Sequence, residues 1–308
     1  MDWKTIEEKI IQDDQNKWDR KATSQELRMS QEGMLEVSNN GDSGNYQLSD
    51  LAITQMCQRL DVPVTYYRRL PGEMKAMVAN YDLSRQNGQG FLLRGKGEWI
   101  RAFLSDRYVV YNNSRISEVV QELLKEADVA IKTFVFEETH MFLKIVSNEI
   151  VDDASGLKAG VMVGNSEVGL GSISVEPFVF RKICTNDLIV AQEKSFRHAH
   201  IHFTPSELNR RMAEGISHAF EVASSTLDTF LAIRMEPIID PVATIRKIAE
   251  ERKLSQKFTD EVVSHYQVEP DPSRFGVINA FTSAAQTLAP LQRIEVERFA
   301  GTMVGGKL

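Results

Sequence analysis

Three histidines at alternate positions, His198-Ala-His-Ile-His202, form the sharpest chemical constellation in the chain. Alternate residues of a β-strand share a face, so His198, His200 and His202 would present three imidazoles together. Imidazole nitrogens at that spacing suit a divalent transition metal. No H-E-x-x-H or P-C-x-x-C pattern accompanies them, so no particular metalloenzyme is specified. The competing reading is three surface histidines at the end of a sheet, and on that reading no cofactor is expected.

A glycine-studded segment, Gly164-Asn-Ser-Glu-Val-Gly-Leu-Gly171, precedes them. Glycine lets a backbone approach phosphate closely. No Gly-Lys-Ser/Thr follows, so it is not a P-loop. A tight turn between strands competes with the phosphate reading. Asn165, Ser166 and, further on, Asn186 are candidate polar contacts. No Ser/His/Asp or Cys/His triad is evident. Cys184 lies in an apolar stretch and reads as inert core.

A third grouping lies upstream. Arg94, Lys96, Arg101 and Arg107 interleave with Phe91, Trp99, Phe103 and Tyr108. Cations for phosphates beside aromatic faces for bases are what single-stranded nucleic acid requires. On a regular strand Arg101 shares a face with Trp99 and Phe103, which either presents a stacking surface or turns the rings into the core with Arg101 at its edge. Arg181, Lys182, Lys194 and Arg197 form a second small basic group.

The elements that must position these residues follow from patterning. A short helix is expected over residues 3–11, then polar chain to about residue 45. Ser49 reads as the N-cap of a helix reaching about Leu60. Val64 to Leu70 and Glu73 to Leu83 follow as helices, and the first two together have a helix-turn-helix rhythm. Phe91 to Arg94 and Trp99 to Leu104 predict a hairpin turned at Gly95-Lys-Gly97. Ile116, Val119, Val120, Leu123 and Leu124 predict an amphipathic helix after Ser114. Strands are expected over 130–136, 141–146, 172–175, 178–184 and 199–203, and helices from Pro205 onward. The fold class is therefore α+β, a central and mainly antiparallel sheet with helices packed on one side and helical N- and C-terminal segments. The expected divisions are an acidic, partly disordered segment 1–47, a helical subdomain 48–86, a strand-rich core 87–204 and a helical region 205–308.

Composition narrows the function classes. The chain has 308 residues, with 42% hydrophobic and 26% charged, as a globular protein has. Its two cysteines, Cys57 and Cys184, make neither a disulfide framework nor a zinc-finger spacing, which fits a reducing cytoplasm. No signal-like or membrane-spanning run is present. The net charge is −7, with residues 1–50 carrying 6 Lys/Arg against 11 Asp/Glu. Arg59 to Arg107 holds 9 basic and 5 acidic residues, so the charge is locally reversed. This excludes a polycation and leaves room for a local basic groove.

Four motifs carry a resemblance. Arg101-Ala-Phe-Leu-Ser-Asp-Arg-Tyr108, Asn165-Ser-Glu-Val-Gly169, Arg181-Lys-Ile-Cys-Thr-Asn186 and Phe275-Gly-Val-Ile-Asn-Ala-Phe-Thr282 resemble the landmarks of the phage- and plasmid-borne domain-of-unknown-function family 932. Their order runs from about Leu48 to Gly301. One departure is Asp187, where the family often has Gly after Cys-Thr-Asn. The resemblance implies residence on a mobile element and work on DNA or against host defence. It supplies no catalytic residues.

Three functions are weighed. The first is a DNA-binding accessory protein, binding or annealing single strands in recombination, with Arg94, Lys96, Arg101 and Arg107 on phosphates and Trp99 and Tyr108 stacking. A homo-oligomer is expected on that reading. The second is a protein-binding antagonist of a host defence system, which the acidic first segment suits. The third is a metal-dependent enzyme on the three histidines.

Overall fold

Burial along the N-terminal third decides its structure, because its few apolar residues fall at alternate positions. In the computed structural model, residues 2–39, 42–149, 156–181, 186–189 and 196–306 are described. Helix α1 (Trp3–Asp14) leads into strands β1 (Lys17–Thr23), β2 (Leu27–Met29), β3 (Met34–Asn39) and β4 (Asp42–Leu48). Leu27 and Met29, then Leu35 and Val37, are buried on one side of their strands. The expectation of a polar, partly disordered segment over 1–47 is thus corrected.

Ser49 caps α2 (Asp50–Arg59) as expected, its hydroxyl accepting from the Ala52 amide at 3.1 Å. Asp61, at φ 58°, turns the chain toward α3 (Val64–Arg69), and α4 (Gly72–Arg85) follows. The hairpin of β5 (Gly90–Lys96) and β6 (Trp99–Ser105) turns at Gly97, φ 56°. These strands join the N-terminal ones in a six-stranded sheet of order β1-β5-β6-β4-β3-β2. Among the described residues of this sheet, only β4 and β6 pair in parallel. Helices α2 and α4 cover one face, where Leu35, Phe91, Leu93, Ile100 and Phe103 meet Met56, Ala79 and Leu83.

After α5 (Asn113–Glu126) comes a second sheet of β7 (Val129–Phe136), β8 (Met141–Ser147), β9 (Leu157–Asn165), β10 (Ile173–Arg181), β11 (Asn186–Ile189) and β12 (Phe196–His198). Its order is β11-β10-β9-β8-β7, with β12 also on β10, and every pair is antiparallel. Helix α6 (Pro205–Ala232) then runs along one face. Leu208, Met212, Ile216, Ala219, Ala223, Leu227 and Phe230 form its buried stripe. Helices α7 (Pro241–Glu251), α8 (Gln256–Val268) and α9 (Arg274–Ala284) continue that core with Leu157, Ala159 and Val179. Helix α10 (Pro290–Gly305) crosses to the other face, where Ile294 meets Phe142, Met162 and Phe178.

The α+β class with mainly antiparallel strands holds. The refinement is that the strands form two sheets, and the second carries helices on both faces. The strand-rich stretch 87–204 divides between them.

Candidate functional site

The Asn165-Ser-Glu-Val-Gly169 motif leaves β9 as a plug that enters the face of the first sheet carrying Leu92, Ala102 and Leu104. Gly169 sits at φ +78°, and a Cβ there would lie 2.7 Å from Leu104. Only glycine suits that close approach. Ser166 Oγ accepts from the Leu170 amide at 3.1 Å and closes the turn. Val168 is fully buried against Leu92, Ala102 and Leu104. Gln55 of α2 clamps it, donating to the Val168 carbonyl at 2.7 Å and accepting from the Phe103 amide at 2.9 Å.

Glu167, 3% exposed, is the hub of an ionic network around this plug. Its Oε2 accepts from Lys17 Nζ at 2.8 Å and Arg101 Nη1 at 3.3 Å. Its Oε1 accepts from the Asn113 amide at 2.8 Å, and its carbonyl from Arg94 Nη1 at 2.7 Å. Lys17 also meets Asp13 at 2.5 Å and Asp14 at 2.8 Å. Arg94 Nε donates to Asp19 at 2.6 Å and a further guanidinium N–H to Asn112. Arg101 donates to the Glu138 carboxylate, and Lys96 pairs with Asp13 at 2.6 Å.

Burial alone would raise the Glu167 carboxyl, but the Lys17 and Arg94 charges outweigh it and hold it below the usual range. Asp13 is lowered in the same way, against its own burial, by Lys17 and Lys96. Burial would likewise lower the Lys17 ammonium, yet Glu167 and the two aspartates keep it above its ordinary value. Asp13, Asp14 and Glu167 bring carboxylate oxygens within 4.8 Å of one another, which is metal-like spacing. The Lys17 ammonium bonds to all three, so the cation of this cage belongs to the chain itself. A network so fully paired fixes two sheets together, and its acids and bases are already engaged with one another.

Residues 102–290, more than half the chain, match the family profile described as a domain of unknown function (DUF932). The chain belongs to this family. No curated protein and no solved structure matches it. The family region contains Glu167 and its turn, whereas Lys17, Arg94 and Arg101 precede it. The hub therefore lies inside the family segment and three of its cations outside.

The nucleic-acid reading requires Arg94 and Arg101 on an exposed, aromatic-faced hairpin. The structure buries them, at 2% and 7% exposed. For Arg101 the cause is a β-bulge. Arg94 pairs with Ala102 and Gly95 with Ile100, so Arg101 is the extra residue. It turns onto the plug side with Ala102 and Leu104, while Ile100 and Phe103 face the helices. Phe91 and Phe103 are core. Trp99 stays half-exposed and Arg107 exposed, and Lys96 is half-buried against Asp13. Tyr108 donates to the Ser166 carbonyl at 3.0 Å and stacks on His200 at 4.6 Å. In the second basic group, Arg181 binds Glu269 at 2.7 Å and Arg197 binds Glu176 at 3.0 Å. Lys182, Lys194 and Cys184 lie outside the described residues, as does the Asn186 side chain. Asn165, expected as a ligand contact, is 2% exposed and bonds inward to Tyr111, Asn113 and His200. Ser166 is fully buried.

The histidines do not share a face. The strand stops at His198, and His202 turns at φ 57° and is exposed. His200 alone is buried, with Nε2 3.0 Å from Asn165 Oδ1 and Nδ1 3.2 Å from the Val109 carbonyl. Burial pushes its imidazole down to about 4, so it is neutral at ordinary pH. Each ring nitrogen is directed at one of these protein oxygens rather than at His198 or His202.

A surface on α3 and α4 outside the sequence-predicted site residues is exposed. On α4, Met74, Met77 and Tyr81 lie at helical spacing and are 46%, 66% and 62% exposed. Tyr66 of α3 is 52% exposed. Arg59, Arg69 and Arg85 are exposed and Lys75 half-exposed, and none of the four has an ion partner among the described residues. The Arg85 guanidinium lies 5.5 Å from the Tyr81 ring centre. The signal available in sequence was the net positive run from Arg59 to Arg85, with 5 basic and 3 acidic residues.

Proposed function

We propose that the protein is a non-enzymatic binding protein for single-stranded nucleic acid, acting in the cytoplasm as an accessory of a mobile element. The contact face in this reading is α3 and α4 with the end of α2, rather than the β5–β6 hairpin. One observation carries it. The hairpin cations Arg94, Lys96 and Arg101 are bonded to carboxylates, whereas Arg59, Arg69, Lys75 and Arg85 stand unpaired beside exposed Tyr66 and Tyr81. Unpaired cations meet phosphates and exposed rings stack bases. Fluorescence anisotropy with a labelled oligonucleotide tests it. Binding at low salt that weakens at moderate salt supports the proposal, and no binding at low salt removes it.

The second reading is a protein partner docked on the same helices, as an antagonist of host defence would require. Met74 and Met77 favour it, because flexible thioether side chains adapt to varied apolar partners. Nuclease-insensitive co-purification of one dominant partner, lost on Met77→Asp, separates it from the first.

A further inference from the structure

Helix α4 carries large apolar residues on two sides, and only one side meets the protein. Ala76, Ala79 and Leu83 are buried in the core of the first sheet. Met74, Met77 and Tyr81 are exposed. At i, i+3 and i+7 they form one stripe along the helix, about 10 Å long at about 1.5 Å per residue.

A cation lies beyond each end of the stripe. Arg69 is the last residue of α3, separated from the first residue of α4 only by Leu70 and Pro71, and Arg85 is the last residue of α4. The Arg85 guanidinium, 5.5 Å from the Tyr81 ring centre, joins a charge to a ring. Arg69, Lys75 and Arg85 have no ion partner among the described residues. Of the two acids of the helix, Asp82 is half-buried and Glu73 lies in the first turn, where the free helix amides favour a negative charge. Phosphates need the cations alone. Exposed thioethers and a ring add nothing for phosphate, and they suit the faces of bases. Base faces are open only in an unpaired strand, because a duplex stacks them inside and shows edges in its grooves.

We propose, resting on the nucleic-acid reading above, that this face holds an unpaired strand with its bases turned inward, so that the protein prefers single strands to duplex and slows their annealing. Bases lie on Met74, Met77 and Tyr81, and phosphates meet Arg69 and Arg85 at the two ends. At about 3.4 Å per stacked nucleotide the stripe takes about three bases. Bases laid on side chains are withdrawn from the ordered stack with which a complementary strand pairs. A surface that presented a strand for pairing would grip the backbone and leave the bases outward.

The test titrates the full chain, at low salt, against a labelled single-stranded oligonucleotide and against the blunt duplex of the same sequence, then follows the rate at which the saturated strand pairs with its complement. The single strand should bind about tenfold or more tightly than the duplex, and pairing should slow by about tenfold or more. Met77→Ala/Tyr81→Ala, on the exposed side of the helix, should weaken single-strand binding by about tenfold and leave duplex binding unchanged. Arg85→Gln should weaken both forms alike. A single strand bound no better than the duplex, pairing at the protein-free rate or faster, or a preference that survives the double variant overturns the proposal and leaves single-strand binding standing. Binding of neither form by the parent chain removes the nucleic-acid reading itself, and this proposal with it.

Discussion

Arg101 and Arg69 belong to one basic tract, yet one is buried against Glu138 and Glu167 and the other stands in solvent with no ion partner among the described residues. The hairpin half of the tract turns its cations inward because carboxylates from α1, β1 and the Glu167 turn converge on them. In the helical half Arg68 lies 3.8 Å from Asp50, and Arg59, Arg69, Lys75 and Arg85 meet no carboxylate among the described residues. The comparison shows that a run of positive charge stays exposed and unpaired only where the fold brings no carboxylate to meet it. The same separation appears among aromatic residues. Phe91 and Phe103 are core, whereas Tyr66 and Tyr81 project outward.

The sharpest way to break this contrast is to remove the hub. Glu167→Ala leaves Lys17 and Arg101 buried without their shared acceptor and should cost about 3–5 kcal/mol of stability. Urea denaturation measures it. Where the variant is still folded, nucleic-acid affinity should be unchanged, because the hub is remote from α3 and α4 in this account. A loss below about 1 kcal/mol would mean that the network is solvated rather than structural.

The junction should also respond to acid through His200. Its folded value, about 4, lies below its ordinary 6.5, so the unfolded chain takes up the extra proton first as the pH falls. Stability is then fully present above about pH 6.5 and declines toward pH 4, by roughly 2–3 kcal/mol. His200→Phe keeps a ring on Tyr108 and should flatten that slope. Glu167 and Glu176, both held low against their burial by adjacent cations, add a further loss as the pH falls below their ordinary value of 4.5. An unchanged slope in the His200 variant would place the titration elsewhere.

On the exposed side the expected effects are smaller and concern binding. Tyr81→Ala should weaken single-strand affinity by about 1–3 kcal/mol and leave the unfolding midpoint nearly unchanged, as loss of a stacking ring does. Arg101→Met should do the reverse, lowering stability and sparing affinity. If both variants changed the same property, the division of the tract would fail.

The sequence made the helical hairpin legible through the Ser49 cap and the apolar spacing of α2, and the glycine turn of β5–β6 through Gly97. The N-terminal strands were obscured because Leu27, Met29, Leu35 and Val37 sit among polar and charged residues that favour a loop reading. The Arg101 face was misassigned because a bulge adds one residue and reverses the alternation. Strands β5 and β6 are buried on both faces, so alternation is a weak guide there. The buried cations themselves were a usable signal. An arginine between Ile100 and Ala102 in an apolar strand requires a carboxylate partner, and the plug motif supplied Glu167. That pairing joins residues 66 positions apart, and spacing along the chain does not reveal it.

The most direct test of the account is the salt dependence of single-strand binding by the Arg69→Gln/Arg85→Gln variant against the parent chain. With two phosphate contacts removed, the slope of log affinity on log salt should fall by about 1.4, at unchanged thermal stability. A variant that keeps the parent slope, or a parent that binds no oligonucleotide at low salt, would contradict the assignment of the exposed helical face.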